Sequence, residues 1–152
     1  MRYDITHIEC EPPIQRKLPK KDIWELVEDW ECKIHTKHNG ILIYTIKAGY
    51  WWDLASVPRP LRGMVDNGSH EYAILVSTLI HDVNYDTHLL KQKDADKLLY
   101  EMLKWYKTSC WKPAMYYIAV YAFGKFAYNA FDPKQMEIDL TLCHLNWNKI
   151  KQ

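Results

Sequence analysis

The residues of this chain that are best suited to chemistry are His81, Asp82 and Tyr85, which follow an apolar run over residues 73–80. That run contains no Gly, Pro or charged residue and therefore predicts a helix. His81 and Tyr85 are four residues apart and share one helix face, whereas Asp82 lies about 100° round the helix from His81. A base and a phenol on one face, with a carboxylate beside them, suit acid–base catalysis or metal binding.

A second helix is predicted over residues 93–106, where leucine and methionine recur at helical spacing after a short polar link. Such a link favours antiparallel packing of the two helices. Asp96, near the start of the second helix, would then lie opposite the end of the first. There it could orient His81 and accept a hydrogen bond from Tyr85, which makes a base with an orienting carboxylate.

The pattern His81-Asp82-x-x-Tyr85 followed by Ala95-Asp96 resembles the catalytic helices of phospholipase A2, especially the cysteine-free version in parvovirus capsid proteins. The resemblance covers only these two helices. It implies that His81 is the base, that Asp82 is a calcium ligand, and that Asp96 orients His81 and binds Tyr85. The glycine-rich calcium loop of that family has no counterpart before His81. Because calcium takes about six to eight oxygen ligands, the loop from Asp53 onward would have to supply the others.

A second resemblance covers more of the chain. Residues 49–59 read Gly-Tyr-Trp-Trp-Asp-Leu-Ala-Ser-Val-Pro-Arg, and His81-Asp82, Tyr85 and Ala95-Asp96 follow in order. This set of motifs is similar to an uncharacterised phage and prophage family, domain of unknown function 1353. The resemblance implies a phage protein with a place in the virion or in the host cell, and it supplies no established activity. The cysteine usage and the polar start of the chain favour synthesis in the reducing cytoplasm of a host.

The loop over residues 51–68 offers three further candidates for a site. Asp53 could ligate a metal or bind Arg59, and Ser56 could cap a turn or hold substrate. The alternative is an ordinary structural turn, which is typical of a segment with this proline content.

The composition limits the classes of function. A chain of 152 residues with 48% hydrophobic residues can bury a sizeable core, so we expect one domain. A net charge of +1 makes nucleic acid an unlikely partner. The four cysteines form no Cys-x-x-Cys pair, which disfavours zinc ribbons, and the polar start lacks the apolar core of a signal peptide.

The expected fold class is α+β, a small antiparallel sheet packed on a three-helix bundle. We predict an extended arm over residues 1–22 with a short strand over 3–8, and a β-hairpin over 23–50 that turns at Asn39-Gly40. The loop over 51–68 leads to a helical core over 69–131. Residues 134–150 form a strand or a short helix, and alternating apolar residues over 136–142 favour a strand that returns to the N-terminal sheet.

The third helix, over residues 113–131, approaches the length of a membrane span of about 20 residues. Its many Tyr and Phe residues are unusual for the centre of a bilayer, so we predict a buried helix and no transmembrane segment. A face that contacts lipid or a partner protein is the alternative.

Two functions follow as hypotheses. In the first, a metal-dependent hydrolase of lipid or phospholipid esters uses His81 to activate water, Asp96 to fix its tautomer, and a divalent ion on Asp82. Calcium is the first candidate and zinc the second; a histidine–aspartate metallohydrolase would need ligands such as Asp53 or His35, because no His-x-x-x-His pair is present. In the second, a non-enzymatic virion, tail or host-binding protein uses the same cluster as a buried hydrogen-bond network.

Overall fold

The computed structural model describes residues 3–19, 23–52, 71–108, 111–130 and 132–149. Helices and antiparallel sheets both occur in these ranges, which confirms the α+β class. The elements follow one another as β1 (Ile5–Glu9), β2 (Gln15–Lys17), β3 (Trp24–Leu26), β4 (Trp30–Thr36), β5 (Gly40–Ile46), β6 (Trp51–Trp52), α1 (Glu71–Thr87), α2 (Gln92–Trp105), α3 (Lys112–Asn129), α4 (Pro133–Leu142) and β7 (Cys143–Asn148).

The larger sheet has the strand order β1-β4-β5-β7, and each neighbouring pair is antiparallel. Strands β4 and β5 form the predicted hairpin, in register from Trp30↔Ile46 to Thr36↔Gly40. Gly40 has a φ of 90°, which glycine adopts without steric cost. Because alternate side chains point to one face, this hairpin buries a row of apolar residues that forms the floor of the core.

The smaller sheet has the order β2-β3-β6. The prediction that the hairpin begins at Trp24 is therefore wrong in part, because Trp24–Leu26 pairs with β2 and β6 instead of continuing into β4. The chain bends after Leu26, where the apolar alternation is also broken. The predicted arm contains the expected short strand as β1, and it adds β2 to this second sheet.

The C-terminal region corrects a second prediction. Residues 136–142, expected as a strand, lie in helix α4, and the strand begins only at Cys143. Asp132 caps the helix by accepting a hydrogen bond of 3.0 Å from the Lys134 amide, and Pro133 occupies the first turn, where proline is tolerated. Strand β7 then pairs with β5, so the predicted return to the N-terminal sheet is confirmed.

Helices α1 and α2 pack in the antiparallel sense that the short link predicts. Ile74, near the start of α1, shares an apolar cluster with Leu99 and Leu103, while His81 near its end reaches Asp96 near the start of α2. The opposite face of α1 covers the larger sheet, so α1 lies between the sheet and α2.

Helix α3 packs on α2 through Tyr116 and Val120. The prediction of a buried third helix holds for this face only, because Ile118, Tyr121 and Phe126 are 66%, 65% and 78% exposed. Within the described ranges, no helix combines the length and the apolar character that a membrane span requires.

Candidate active site

A buried cluster joins the end of α1 to the start of α2. The Nε2 atom of His81 lies 3.0 Å from Oδ1 of Asp96, and the Tyr85 hydroxyl donates a hydrogen bond of 2.5 Å to the same oxygen. The rings of His81 and Tyr85 lie 4.1 Å apart, as expected for residues one helical turn apart. The structure thus brings together the three residues that the sequence nominated as a base, its orienting carboxylate and a tyrosine donor.

The hydrogen bond to Asp96 defines the state of the His81 ring. A carboxylate can only accept, so Nε2 carries a hydrogen, and in neutral imidazole the lone pair is then on Nδ1. This Nδ1 atom is buried and has no hydrogen-bond partner among the described residues. Oδ1 of Asp82 lies 3.8 Å from it, beyond hydrogen-bond distance. Nδ1 of His81 therefore makes no hydrogen bond among the described residues, and the Asp82 carboxylate lies beside it at ion-pair distance.

Burial and charge act on His81 in opposite directions. Burial is the largest single influence and lowers its pKa, but Asp82 and Asp96 together outweigh burial, so the pKa of His81 is raised above its ordinary value. For Tyr85, burial and the hydrogen bond to Asp96 both raise the pKa. The tyrosine is therefore a neutral donor at physiological pH, and the carboxylate of Asp96 accepts from both neighbours.

Two other residues of the same helical segment point to the sheet side. Asn84 donates to the Tyr44 hydroxyl at 2.9 Å and to the Ile80 carbonyl at 2.8 Å. Asp86 accepts a 2.7 Å hydrogen bond from the buried Tyr50 hydroxyl. The sequence reasoning did not pair these residues. For Asp86 and Tyr50, the sequence offered one indication of a contact: Asp86 directly follows the His81-Asp82-x-x-Tyr85 pattern, and Tyr50 belongs to the run over residues 49–59.

Helix α3 packs against the Tyr85 side of the cluster. Gly124 packs so closely on Tyr85 that a Cβ at this position would overlap the tyrosine hydroxyl and lie 3.2 Å from its Cζ atom. The ring of Tyr128 meets that of Tyr85 edge-on at 5.3 Å and stacks on His88 at 4.0 Å. Gly124 was also missed, although a single glycine inside an aromatic helix indicates close packing.

The remaining predicted site residues are distributed differently. Asp53, Ser56 and Arg59 lie outside the described residues. Asp82 is 7% exposed and close enough to Tyr50 for its charge to raise the tyrosine pKa, after the larger effects of burial and Asp86. In the part of the chain that the structure describes, no three His, Cys, Asp or Glu residues are grouped to hold a metal ion. The described structure thus contains one of the two predicted metal ligands.

These observations define an α+β protein with a buried His–Asp–Tyr cluster between two antiparallel helices. The family model described as "Protein of unknown function (DUF1353)" matches residues 24–120, and the chain belongs to this family. The matched region runs from β3 into α3 and includes His81, Asp82 and Asp96. No curated protein and no solved structure matches the chain.

Proposed function

We propose that this protein is a phage-encoded hydrolase of lipid esters in which His81 activates the attacking water. The observation that carries the proposal is the state of the imidazole: Asp96 holds Nε2, and the buried Nδ1 has no hydrogen-bond partner among the described residues. A structural histidine gains most when both ring nitrogens are engaged, because an unmade buried hydrogen bond costs about 1–3 kcal/mol. A general base requires one nitrogen to be left for water.

The chemistry follows from that geometry. Nδ1 of His81 takes a proton from water as the oxygen attacks the ester carbonyl, and it later returns the proton to the leaving alkoxide. Asp96 stabilises the imidazolium formed between these steps and keeps the ring in place. Tyr85 donates to the same carboxylate oxygen and so positions Asp96. Proton transfer by a positioned side chain typically contributes about 10²–10⁴-fold in rate.

A divalent ion is a further part of the proposal. Asp82 lies beside Nδ1 of His81, on the side of the imidazole opposite the bond to Asp96. A metal ion bound to Asp82 would therefore lie next to the substrate on which His81 acts. Asp82 and Asp53 would hold the ion, with calcium as the first candidate and zinc as the second. When bound, the ion would polarise the ester carbonyl.

The exposed face of α3 supports the choice of a lipid substrate. Ile118, Tyr121 and Phe126 are spaced to form one stripe, and Lys125 stands beside them. Apolar and aromatic residues with an adjacent cation suit the surface of a bilayer that contains anionic lipid. The same helix packs Gly124 against Tyr85, so the stripe and the cluster share one element.

Hydrolysis of a short-chain phosphatidylcholine by the purified protein, with calcium or with a chelator, tests the proposal. We expect His81→Gln to lose at least about 100-fold in rate. His144→Gln, the same change on the exposed side of β7, is the matched control and should leave the rate unchanged. Full activity in the His81→Gln variant would refute the role of His81.

A non-enzymatic phage protein of the virion or tail, or one that binds a host partner, is the second candidate, and one observation favours it. The His81 side chain is 0% exposed, and Asn84 and Asp86 are bound to other elements. In this case the cluster would lock helix packing. Calorimetric titration with calcium and then zinc, on the wild type and on Asp82→Ala, separates the candidates. Metal binding by the wild type that is absent in Asp82→Ala supports the hydrolase. If neither protein binds metal and Asp82→Ala lowers the free energy of unfolding by about 1–3 kcal/mol, the structural role of the cluster is supported.

A further inference from the structure

Two cysteines face each other across neighbouring strands at the edge of the core. In the antiparallel pairing of β1 and β4, Ile8 lies opposite Ile34 and Glu9 opposite Lys33. Strand β1 ends at Glu9, and the same register continued by one residue places Cys10 opposite Cys32, with which it shares a side-chain hydrogen bond. Directly opposed residues of antiparallel strands have Cα atoms about 4.5–5.5 Å apart, which lies within the range of about 4.4–6.8 Å that a disulfide spans. Both cysteines are reduced in the structure.

Two tyrosine hydroxyls surround the sulfur of Cys10. Oη of Tyr72, at the start of α1, lies 3.2 Å from Sγ, and Oη of Tyr106, just after α2, lies 3.9 Å from it. The Tyr72 hydroxyl is also 3.1 Å from the Cys10 carbonyl oxygen, so its single hydrogen can point to that carbonyl or to the sulfur. The phenol rings meet edge-on at 5.7 Å, which fixes both hydroxyls beside the same thiol.

The environment separates the two thiols chemically. A hydrogen bond from Cys32 is the largest influence on Cys10, and with the two tyrosines it overcomes the effect of burial and lowers the pKa of Cys10 to about 6. The pKa of Cys32 is raised by the same hydrogen bond and by burial. The lowered pKa favours the thiolate of the half-buried Cys10, which is the nucleophilic form of cysteine, beside a Cys32 thiol whose raised pKa favours the protonated form.

We propose that Cys10 is a peroxide-reactive thiol and that Cys32 resolves its oxidised form. The Cys10 thiolate attacks one oxygen of hydrogen peroxide, the O–O bond breaks, and hydroxide leaves. Sulfur is thereby oxidised to sulfenic acid and the peroxide is reduced. The Cys32 sulfur then attacks the sulfenic sulfur, the S–O bond breaks, and water leaves with the proton of Cys32. The product is a disulfide that joins the end of β1 to β4.

The assignment does not depend on the proposed hydrolase. None of the four residues of this thiol cluster, Cys10, Cys32, Tyr72 and Tyr106, makes a described contact with His81 or Asp96. Disulfide formation would draw Cys10 from a hydrogen bond to Tyr72 into a covalent bond with Cys32. Oxidation would then change the contacts of Cys10 at the place where the N-terminal strand, α1 and α2 meet.

Peptide mapping of the full chain tests the proposal. After reduction and exchange, the protein is treated with a slight excess of hydrogen peroxide, digested without reductant and analysed by mass spectrometry. We expect a peptide pair joined through Cys10 and Cys32, and in the Cys32→Ser variant a dimedone adduct on Cys10. The Cys143→Ala variant, which changes a buried cysteine outside the cluster, should still form the joined pair.

A second measurement can be made on the wild type, so it tests the proposal even if the cysteine variants fold poorly. The rate of iodoacetamide alkylation at Cys10 should rise with pH around a midpoint near 6. Tyr72→Phe should move the midpoint upward, whereas Tyr121→Phe, at an exposed tyrosine of α3, should not. A midpoint at about 8.5, the value of an ordinary cysteine, or oxidation that spares Cys10, would overturn the proposal.

Discussion

Replacement of Gly124 by alanine introduces one methyl group at the contact between α3 and Tyr85. The new Cβ would overlap the Tyr85 hydroxyl oxygen and would lie 3.2 Å from Cζ and 3.3 Å from Nε2 of Gln92. The tyrosine is held on its other side by a 2.5 Å hydrogen bond to Asp96. The ring or the helix must therefore shift, and either movement lengthens the bond to the carboxylate.

The expected cost can be worked from these contacts. Loss of a hydrogen bond to a buried charged group costs about 1.5–3 kcal/mol. The intrinsic preference of a helix for Ala over Gly returns about 1 kcal/mol. We therefore expect Gly124→Ala to lower the free energy of unfolding by about 0.5–2 kcal/mol. In a Tyr85→Phe background the hydroxyl is absent, so the same substitution should be neutral or should stabilise the protein by up to about 1 kcal/mol.

Urea denaturation of the wild type, the two single variants and the double variant forms a double-mutant cycle. We expect a coupling energy of about 2 kcal/mol between Gly124 and Tyr85. The matched control is Ala122→Gly, on the exposed side of the same helix, which should cost only the propensity difference of about 1 kcal/mol. A stabilising Gly124→Ala in the wild type, or additive effects in the cycle, would refute the close packing of α3 on the cluster.

Three further predictions concern the groups around His81. The pKa of His81 in the folded protein is raised above the unfolded value of about 6.5, so the stability that His81 contributes is complete below about pH 6.5 and is lost as the pH rises through the raised pKa. In urea denaturation at stepped pH, His81→Gln should remove this pH dependence. An unchanged pH profile in the variant would contradict the prediction. Tyr44→Phe should cost about 1–3 kcal/mol on denaturation, since the buried Asn84 amide loses its 2.9 Å partner; a loss below about 0.5 kcal/mol would argue against that bond. Tyr50→Phe should cost about 1.5–3 kcal/mol through the lost bond to Asp86, and the loss should shrink in an Asp86→Asn background.

Local patterns anticipated much of the cluster. The four-residue spacing of His81 and Tyr85 requires a shared helix face, and the short link to α2 favours the antiparallel packing that brings Asp96 to both. The catalytic roles of these residues stay predictions. The partners of Asn84 and Asp86 were not anticipated, because Tyr44, on β5, and Tyr50, between β5 and β6, are about 40 residues away in the chain. No local spacing encodes such a contact.

The errors also have physical causes. Alternating apolar residues over 136–142 predicted a strand, but the Asp132 cap with Pro133 starts a helix there, and β7 follows it. The strand at Trp24 was assigned to the hairpin because alternation does not reveal which partner a strand pairs with. For α3, composition predicted burial, whereas the packing of one face on α2 leaves Ile118, Tyr121 and Phe126 exposed.

The sequence by itself determined the α+β class, the hairpin at Gly40 and the helix face that carries His81 and Tyr85, because backbone preferences and side-chain periodicity act over a few residues. Only the tertiary structure decided that Nδ1 of His81 has no hydrogen bond among the described residues, that Gly124 packs on Tyr85, and that two tyrosine hydroxyls contact the sulfur of Cys10. These features arise where separate elements meet, and their geometry depends on how the sheets and helices fill space together.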